Sequence, residues 1–287
     1  MNSPFLNKYE QVTYGKLKAV ADRANAHVFA KVRLKDVIPV DSSGISDAEY
    51  GFSLRSHVDF LVTDSQYKTQ FCVEFDGSMH RRPQQVTRDQ MKDDLLARFD
   101  MPFIRINAMY LDDRFRGLDL LTYFADVWFL SIAFYEAQAI GLVPYDEPFD
   151  ATYICSDGTH PGRSWPYWLS FDLQNTIRKL YESKRVAQMC PSHWIGEDEQ
   201  GNLRCLSWLF LGNTSCAFVE TSMRSQRFPA VYGSEVLSQI AVFDLYDRVR
   251  AILRGQARAR DPRRLADRFA FYKNQYAFRE SATCTQG

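Results

Sequence analysis

His-Val-Asp-Phe-Leu-Val-Thr (residues 57–63) and Phe-Cys-Val-Glu-Phe-Asp (residues 71–76) are the two runs that decide the fold. Both are short and rich in apolar residues, and a polar turn composition separates them, so each predicts a β-strand. Both nevertheless carry acidic side chains. Burying a carboxylate is costly unless a cation compensates its charge. The strands therefore predict a site that holds positive charge, and its candidate residues are Asp59, Glu74 and Asp76.

The run Arg-Asp-Gln-Met-Lys-Asp (residues 88–93) follows these strands and predicts a helix. Thr87 with Gln90 three positions later fits a capping box, so the helix is expected to run from there to about Phe99. Because alternate residues share one face of a strand, Glu74 and Asp76 are expected to project together. Lys92 is the available cation. Carboxylate oxygens of this kind suit Mg²⁺ or Mn²⁺.

Further elements are predicted on both sides of this region. Residues 27–34, 37–40 and 102–107 read as strands, and 41–50 as a polar loop. An N-terminal helix is expected up to about residue 25, and another over 112–143, which Pro144 and Pro148 end. The second half predicts helices over 165–186 and 235–254, and a hairpin that joins 202–211 to residues near 194–196.

Composition bounds the class of protein. The chain has 287 residues, is 46% hydrophobic and has a formal net charge of zero, which favours a packed globular protein. Six cysteines without a Cys-x-x-Cys pair, and no apparent secretory signal, predict a reducing, cytoplasmic location. Residues 118–143 have the length and apolar composition of a membrane span, but they contain three acidic residues. A buried helix is therefore favoured, and no membrane association is expected.

Two features of the second half bear on partners. Cys190 and His193, together with Cys205 and with Cys155 or His160, suggest a zinc site, but structural zinc sites usually show two close ligand pairs, and only one pair is visible. Residues 248–268 hold eight arginines and two aspartates. This cluster indicates either nucleic-acid binding or a solvated or protein-contacting surface. The candidate DNA-binding residues are Arg254, Arg258, Arg260, Arg263 and Arg264.

The pattern Asp59…Glu74-x-Asp76-Gly…His80, followed by Arg-Asp-x-x-Lys-Asp and Pro-Phe-Ile-Arg-Ile, resembles the PD-(D/E)xK nuclease superfamily over about residues 5–110. The closest branch contains domains related to very-short-patch-repair endonucleases. The resemblance implies an α/β fold with a restriction-endonuclease-like αβββαβ core and a Mg²⁺ site on the central sheet.

The resemblance also implies roles for single residues. Asp59 matches the first motif carboxylate, and Glu74 and Asp76 match the second motif. Glu10 matches a glutamate of the N-terminal helix, and His80 matches a further polar position. Many members have lysine where this chain has Asp76, so Lys92 of the following helix is a migrated equivalent.

These observations predict a Mg²⁺- or Mn²⁺-dependent DNA nuclease that hydrolyses phosphodiester bonds, in host defence, mobile-element biology or DNA repair. The alternative is a catalytically inactive nuclease-fold module that binds nucleic acid or a protein partner. The expected organisation is a nuclease domain over 1–112, a helical connector over 113–145 and an α+β region over 146–287, which is the candidate for a protein partner.

Overall fold

A computed structural model describes residues 4–76, 83–115, 117–153 and 167–284, without the side chains of 83–86 and 153. The chain forms two compact units. Unit 1 comprises residues 1–149 and 226–230, and unit 2 comprises 150–225 and 231–287. The protein is therefore a mixed α/β molecule with two four-stranded sheets, one in each unit.

Unit 1 is built on a sheet in the order β1-β2-β3-β4. The first three strands are antiparallel neighbours, and β4 lies parallel to β3. In chain order its helices and strands are α1 (Lys8–Arg23), β1 (His27–Arg33), α2 (Leu34–Val37), α3 (Asp47–Arg55), β2 (His57–Thr63), β3 (Thr69–Phe75), α4 (Pro83–Arg98), β4 (Phe103–Ile106) and α5 (Leu120–Ala139), with a 3₁₀ turn at Ala108–Leu111.

The sheet of unit 1 is covered on both faces. Leu61 and Cys72 pack with Leu95 of α4 in one cluster. Phe60 contacts Tyr14 of α1, and Phe71 contacts aromatic rings of α5. Strands buried on both sides read as near-continuous apolar runs, which is the pattern of 57–63 and 71–75. A polar side chain on such a strand is therefore largely buried away from solvent.

A segment remote in sequence completes unit 1. Phe103 of β4 donates its backbone N–H to the carbonyl of Arg227 over 2.9 Å. The Gln226 side chain hydrogen-bonds both backbone groups of Arg105 and the hydroxyl of Tyr110. Phe228 is 3% exposed and packs against aromatic rings of β3 and α5.

The structure agrees with several predicted elements and differs from others. Strands β2, β3 and β4 lie within a residue or two of their predicted positions. Residues 37–40, predicted as a strand, instead follow the single turn α2, and part of the predicted loop 41–50 is α3. Helix α4 begins at Pro83, upstream of Thr87, because proline is favoured in the first helical turn. The helix predicted over 112–143 is confined to α5.

The division of the chain also differs from the predicted one. Residues 113–145 belong to unit 1 rather than forming a separate connector, and 226–230 join the same unit. Helix α5 is, among the described residues, the one helix long and apolar enough to cross a membrane, and half of its most apolar window is buried within the protein. Its Asp126 is 7% exposed and pairs with Arg23 of α1 at 2.8 Å. These are features of a core helix, and its length and composition are weak indications of a membrane span.

Unit 2 contains an antiparallel sheet in the order β7-β6-β5-β8. Its elements are α6 (Phe171–Glu182), β5 (Ser192–Glu197), β6 (Leu203–Gly212), β7 (Ser215–Met223), α7 (Gly233–Leu253), α8 (Pro262–Gln275) and β8 (Ala277–Ala282). Helices α6 and α7 share one apolar cluster with the sheet, and α8 shares another. The β5–β6 pairing confirms the predicted hairpin, and α7 agrees closely with the predicted helix over 235–254. Helix α6 is shorter than the helix predicted over 165–186.

Candidate functional site

Glu74 and Lys92 form the buried centre of the site in unit 1. Glu74 lies one residue before the end of β3 and is 5% exposed. Lys92 of α4 places its Nζ 2.9 Å from both Glu74 carboxylate oxygens. The same ammonium donates to the backbone carbonyl of His57, the first residue of β2, over 2.7 Å. Lys92 therefore links α4 to two strands of the sheet and contacts the second motif carboxylate directly.

A second lysine joins two more of the predicted acidic residues, Glu10 and Asp59. Lys31 Nζ lies 2.6 Å from Glu10 Oε1 and 2.6 Å from Asp59 Oδ1. The remaining Asp59 oxygen accepts the backbone N–H of Phe75 at 2.9 Å, and the remaining Glu10 oxygen accepts the N–H of Asn7. Both carboxylates are therefore fixed by the backbone on one side and face a common cation on the other.

Local structure explains how these three residues meet. Asn7 caps α1 in a full capping box with Glu10, which fixes the glutamate in the first turn. The β1–β2 register pairs Ala30 with Phe60 and Val32 with Val58, so Lys31 stands opposite Asp59. Lys31 has φ of 55°, in the left-handed region that non-glycine residues seldom adopt. A strained residue held by two ion pairs often marks a functional position.

Asp76 follows β3 and is held by Arg105. Its Oδ1 lies 2.9 Å from Arg105 Nη1, and the same guanidinium binds Asp93 of α4. Arg105 itself is 3% exposed, so its charge needs these partners. Asp93 is therefore the second carboxylate partner of Arg105. Asp59, Glu74 and Asp76 each face a different cation in the structure, namely Lys31, Lys92 and Arg105 in that order.

Burial and charge set the protonation behaviour of the site. Burial raises the pKa of Glu74 to about 7, and the Lys92 ammonium only partly opposes this. Burial alone lowers the pKa of Lys31, but its hydrogen bonds to Asp59 and Glu10 outweigh burial and raise it. Arg105 behaves similarly, since Asp93 and Asp76 raise its pKa against the effect of burial. The charges of Lys31 and Arg105 are therefore firmly held, while Glu74 can exchange a proton near neutral pH.

The predicted residues have different outcomes in the structure. Glu10, Asp59, Glu74 and Lys92 lie in unit 1 as described above, and His80 lies outside the described residues. Among the described residues, no group of three or more His, Cys, Asp or Glu side chains is arranged to hold a metal ion. Lys31 was missed by sequence reasoning. Its position opposite Asp59 depends on a strand register that is set by distant packing, and no local motif indicates it.

The arginine-rich segment lies in unit 2, from the last turns of α7 into α8. Arg254, Arg258, Arg263 and Arg264 are exposed. Arg260 differs, because its guanidinium carbon lies 4.1 Å from the centre of the Phe218 ring and its backbone pairs with Cys216 of β7. Four of the five predicted DNA-binding arginines are therefore free to meet solvent, and Arg260 contributes to packing.

The zinc hypothesis receives no geometric support among the described residues. His193 Nε2 lies 3.4 Å from Glu280, and Cys205 is fully buried within the sheet. Cys190 is beside Cys284 rather than beside Cys205. Cys155 and His160, the other two candidates, lie outside the described residues.

Together, the fold and site of unit 1 define an α/β domain with a carboxylate–lysine cluster at the ends of its central strands. Residues 2–116 match the family described as protein of unknown function (DUF2726). No curated protein matches the chain. No solved structure matches it either.

Proposed function

We propose that unit 1 is a metal-dependent nuclease that hydrolyses phosphodiester bonds in DNA, with a restriction-endonuclease-like core. The contact of Lys92 with Glu74 carries the proposal, because it joins a buried carboxylate and a lysine from the following helix. The order α1, β1, β2, β3, α4, β4 supports it too, since this is an αβββαβ arrangement with α2 and α3 inserted after β1.

The donor chemistry of the site suits Mg²⁺ or Mn²⁺. Oxygens of Glu10 and Asp59 converge at 2.6 Å on one positive atom, the Lys31 Nζ, so two hard ligands already point at one place. Mg²⁺ is commonly held by one or two carboxylates, with waters and substrate phosphates completing its shell. Asp59 and Glu10 would hold the ion, whereas Glu74 would stay paired with Lys92 and Asp76 would fix Arg105 in place. Lys31 would have to move from its two partners.

Each residue then has a defined task. Bound Mg²⁺ supplies Lewis acidity that orients the scissile phosphate and lowers the pKa of a water. The Lys92 ammonium stabilises negative charge that develops on the phosphate oxygens. Glu74, with its pKa of about 7, can accept a proton from water at neutral pH. Arg254, Arg258, Arg263 and Arg264 of unit 2 would add sequence-independent affinity for the DNA backbone.

The test is cleavage of plasmid and linear DNA by the full chain in the presence of Mg²⁺ or Mn²⁺. Asp59→Asn, Glu74→Gln and Lys92→Met should each lose at least about 100-fold in rate, since removing one electrostatic stabiliser costs this much in other enzymes. Asp94→Asn is the matched control, because Asp94 is an exposed carboxylate on the same helix that bonds only Gln90 among the described residues. Cleavage that survives Asp59→Asn or Glu74→Gln would rule out the proposed site.

The second candidate is a nucleic-acid-binding module without catalysis. One observation favours it: every carboxylate of the site already has a cation from the chain itself, Lys31, Lys92 or Arg105. The negative charges of such a site are neutralised by lysine and arginine side chains without a metal ion. DNA binding that is unaffected by Mg²⁺ or Mn²⁺, with no cleavage of any DNA form, would select this candidate over the nuclease.

A further inference from the structure

A polar cleft lies beside the Glu74–Lys92 pair and has no role in the mechanism above. It occupies about 170 Å³ between the end of α3, the start of β2 and α4. The side chains that define its chemistry are Phe52, Arg55, Ser56, Arg88, Asp89 and Lys92. Lys92 therefore borders two places, the cleft on one side and the Glu74 carboxylate on the other.

The cleft is rich in positive charge. Arg55 and Arg88 are exposed cations, and among the described residues neither has a carboxylate partner. Arg88 is held over the Phe52 ring, 6.0 Å from its centre. Three cationic side chains line the cleft against one carboxylate, Asp89. Arginine forks favour phosphate oxygens, and a guanidinium without a carboxylate partner keeps its donors available for a ligand.

An independent observation concerns Ser56. Its side chain is 4% exposed, it lines the cleft, and its Oγ has no hydrogen-bond partner among the described residues. Buried hydroxyl groups are almost always hydrogen-bonded, so Ser56 keeps an unused hydrogen-bonding group at the wall of the cleft that a bound molecule can satisfy. A hydroxyl donor in a cleft that two guanidinium groups also line suits an anion with several acceptor oxygens.

We propose that this cleft binds a phosphodiester group of a nucleic-acid strand, next to the phosphate presented to Glu74 and Lys92. The identity of the strand as substrate rests on the proposed nuclease function. The anion-binding chemistry of Arg55, Arg88 and Ser56 does not. The cleft would fix the register of the strand, because Lys92 touches both the bound phosphate and the carboxylate that acts on its neighbour.

The experiment measures binding of a short labelled single-stranded DNA to the full chain by fluorescence anisotropy, with a chelator present so that no cleavage occurs. Arg55→Gln and Arg88→Gln should each weaken binding roughly tenfold, which is typical for loss of a hydrogen bond to a charged group. The slope of log affinity against log salt should fall by about 0.7 for each lost phosphate contact. Ser56→Ala should weaken binding by roughly threefold and leave the unfolding midpoint unchanged, because its hydroxyl has no hydrogen-bond partner among the described residues.

Arg98→Gln is the matched control, since Arg98 is an exposed arginine of the same helix α4 whose guanidinium meets Gly44 and Glu49 instead. It should bind DNA as the wild type does. Competition with inorganic phosphate distinguishes whether the cleft binds a phosphate of a DNA strand or free phosphate. A cleft for a DNA strand releases the labelled DNA only at high phosphate concentration, and release at low concentration would instead assign the cleft to free phosphate.

Wild-type DNA affinity in both Arg55→Gln and Arg88→Gln would overturn the inference. That result leaves the nuclease proposal standing if Asp59→Asn still abolishes cleavage. Weakened binding in these variants, together with no cleavage by the wild type under any metal condition, would support the cleft and refute the nuclease.

Discussion

Lys31 occupies the place between Glu10 and Asp59 where a divalent cation would compensate the same two charges. Its ammonium lies 2.6 Å from each carboxylate while its backbone is held at a φ of 55°. We expect Lys31→Met to destabilise the metal-free protein by roughly 1–2 kcal/mol, since two facing carboxylates lose a partly exposed partner.

Mg²⁺ or Mn²⁺ should then raise the unfolding temperature of Lys31→Met more than that of the wild type, because the metal no longer competes with the ammonium. Lys35→Met is the control, since Lys35 pairs with Asp41 and Tyr50 outside the site. Equal metal-induced shifts in Lys31→Met and the wild type would mean that Lys31 does not compete for these carboxylates.

Glu74 gives the protein a pH-dependent stability. Burial raises its pKa in the folded protein from 4.5 to about 7, so between these values the folded protein keeps a proton that the unfolded chain has released. Stability from this group is therefore complete below pH 4.5 and is lost as the pH rises through about 7, by about 3 kcal/mol in total.

Denaturant unfolding of unit 1 at about pH 5 and about pH 8 should show this loss, and Glu74→Gln should abolish it. Glu136→Gln changes an exposed carboxylate of α5. It should leave the pH dependence of the free energy of unfolding unchanged. Glu235 of unit 2 also has its pKa raised to about 7, chiefly by burial, so the measurement must follow unit 1 alone. If the free energy of unfolding still falls between about pH 5 and about pH 8 in Glu74→Gln, the pH dependence belongs to another group.

Sequence patterns located some of these residues and missed others for a physical reason. Asp59 and Glu74 stand out because each is a carboxylate in an apolar run, which is a local signal. Lys31 carries no such signal, since its partners are 21 and 28 residues away. Strand register, which brings it opposite Asp59, is decided by which face of β1 packs against the core.

At the scale of elements, capping chemistry explains one wrong prediction and tertiary burial explains another. Ser46 and Glu49 form a complete capping box at the start of α3. They lie in a polar, glycine-containing stretch whose composition suggests a loop, and the loop prediction was wrong from Asp47 onward. Val37–Val40 looks like a strand by composition, but α2 ends at Val37. The apolar side chains of this segment are buried in the same cluster as Leu61 and Leu95. Tertiary burial outweighs weak local preference in such short segments.

Helix α1 offers a test of element stability. Gly15 is exposed in the middle of this helix, and a Cβ at its position would contact no atom of the described part of the chain within 4 Å, apart from its chain neighbours and the helix backbone. Gly15→Ala should therefore raise the free energy of unfolding by roughly 0.5–1 kcal/mol, because alanine restricts the unfolded chain and favours the helix.

The comparison is with Gly196→Ala in β5. There a Cβ would lie 2.6 Å from the Trp194 ring and 2.7 Å from the Tyr276 Cβ, so the same substitution should destabilise unit 2. Thermal unfolding measures both effects. A destabilised Gly15→Ala would show that α1 is strained in a way its open surroundings do not suggest.

At the scale of the whole molecule, unit 1 is discontinuous in sequence. Its core includes Phe228. The centre of the Phe228 ring lies 5.0–5.6 Å from the ring centres of Trp128, Phe71 and Phe124. No periodicity within residues 1–149 could predict this insertion, because the complementary apolar surface comes from more than 70 residues further along the chain.

Phe228→Ala should destabilise unit 1 by about 3–5 kcal/mol, the usual cost of emptying a buried aromatic position. Hydrogen exchange of peptides from β3 and α5 should report the lost protection, while peptides from α7 and β6 serve as the reference. Phe5→Ala, which removes a ring that is 75% exposed, should change neither set. Unchanged exchange in β3 after Phe228→Ala would show that residues 226–230 are dispensable for unit 1.

The left-handed backbone of Lys31 also bears on self-association. β1 is an edge strand of its sheet, and regular edges expose a row of N–H and C=O groups that can pair with another chain. The ladder between β1 and β2 skips the Lys31–Asp59 pair, so the edge is irregular at its middle and carries a lysine there. The backbone distortion that places Lys31 between Glu10 and Asp59 therefore also makes β1 a poorer template for pairing with a strand of another chain.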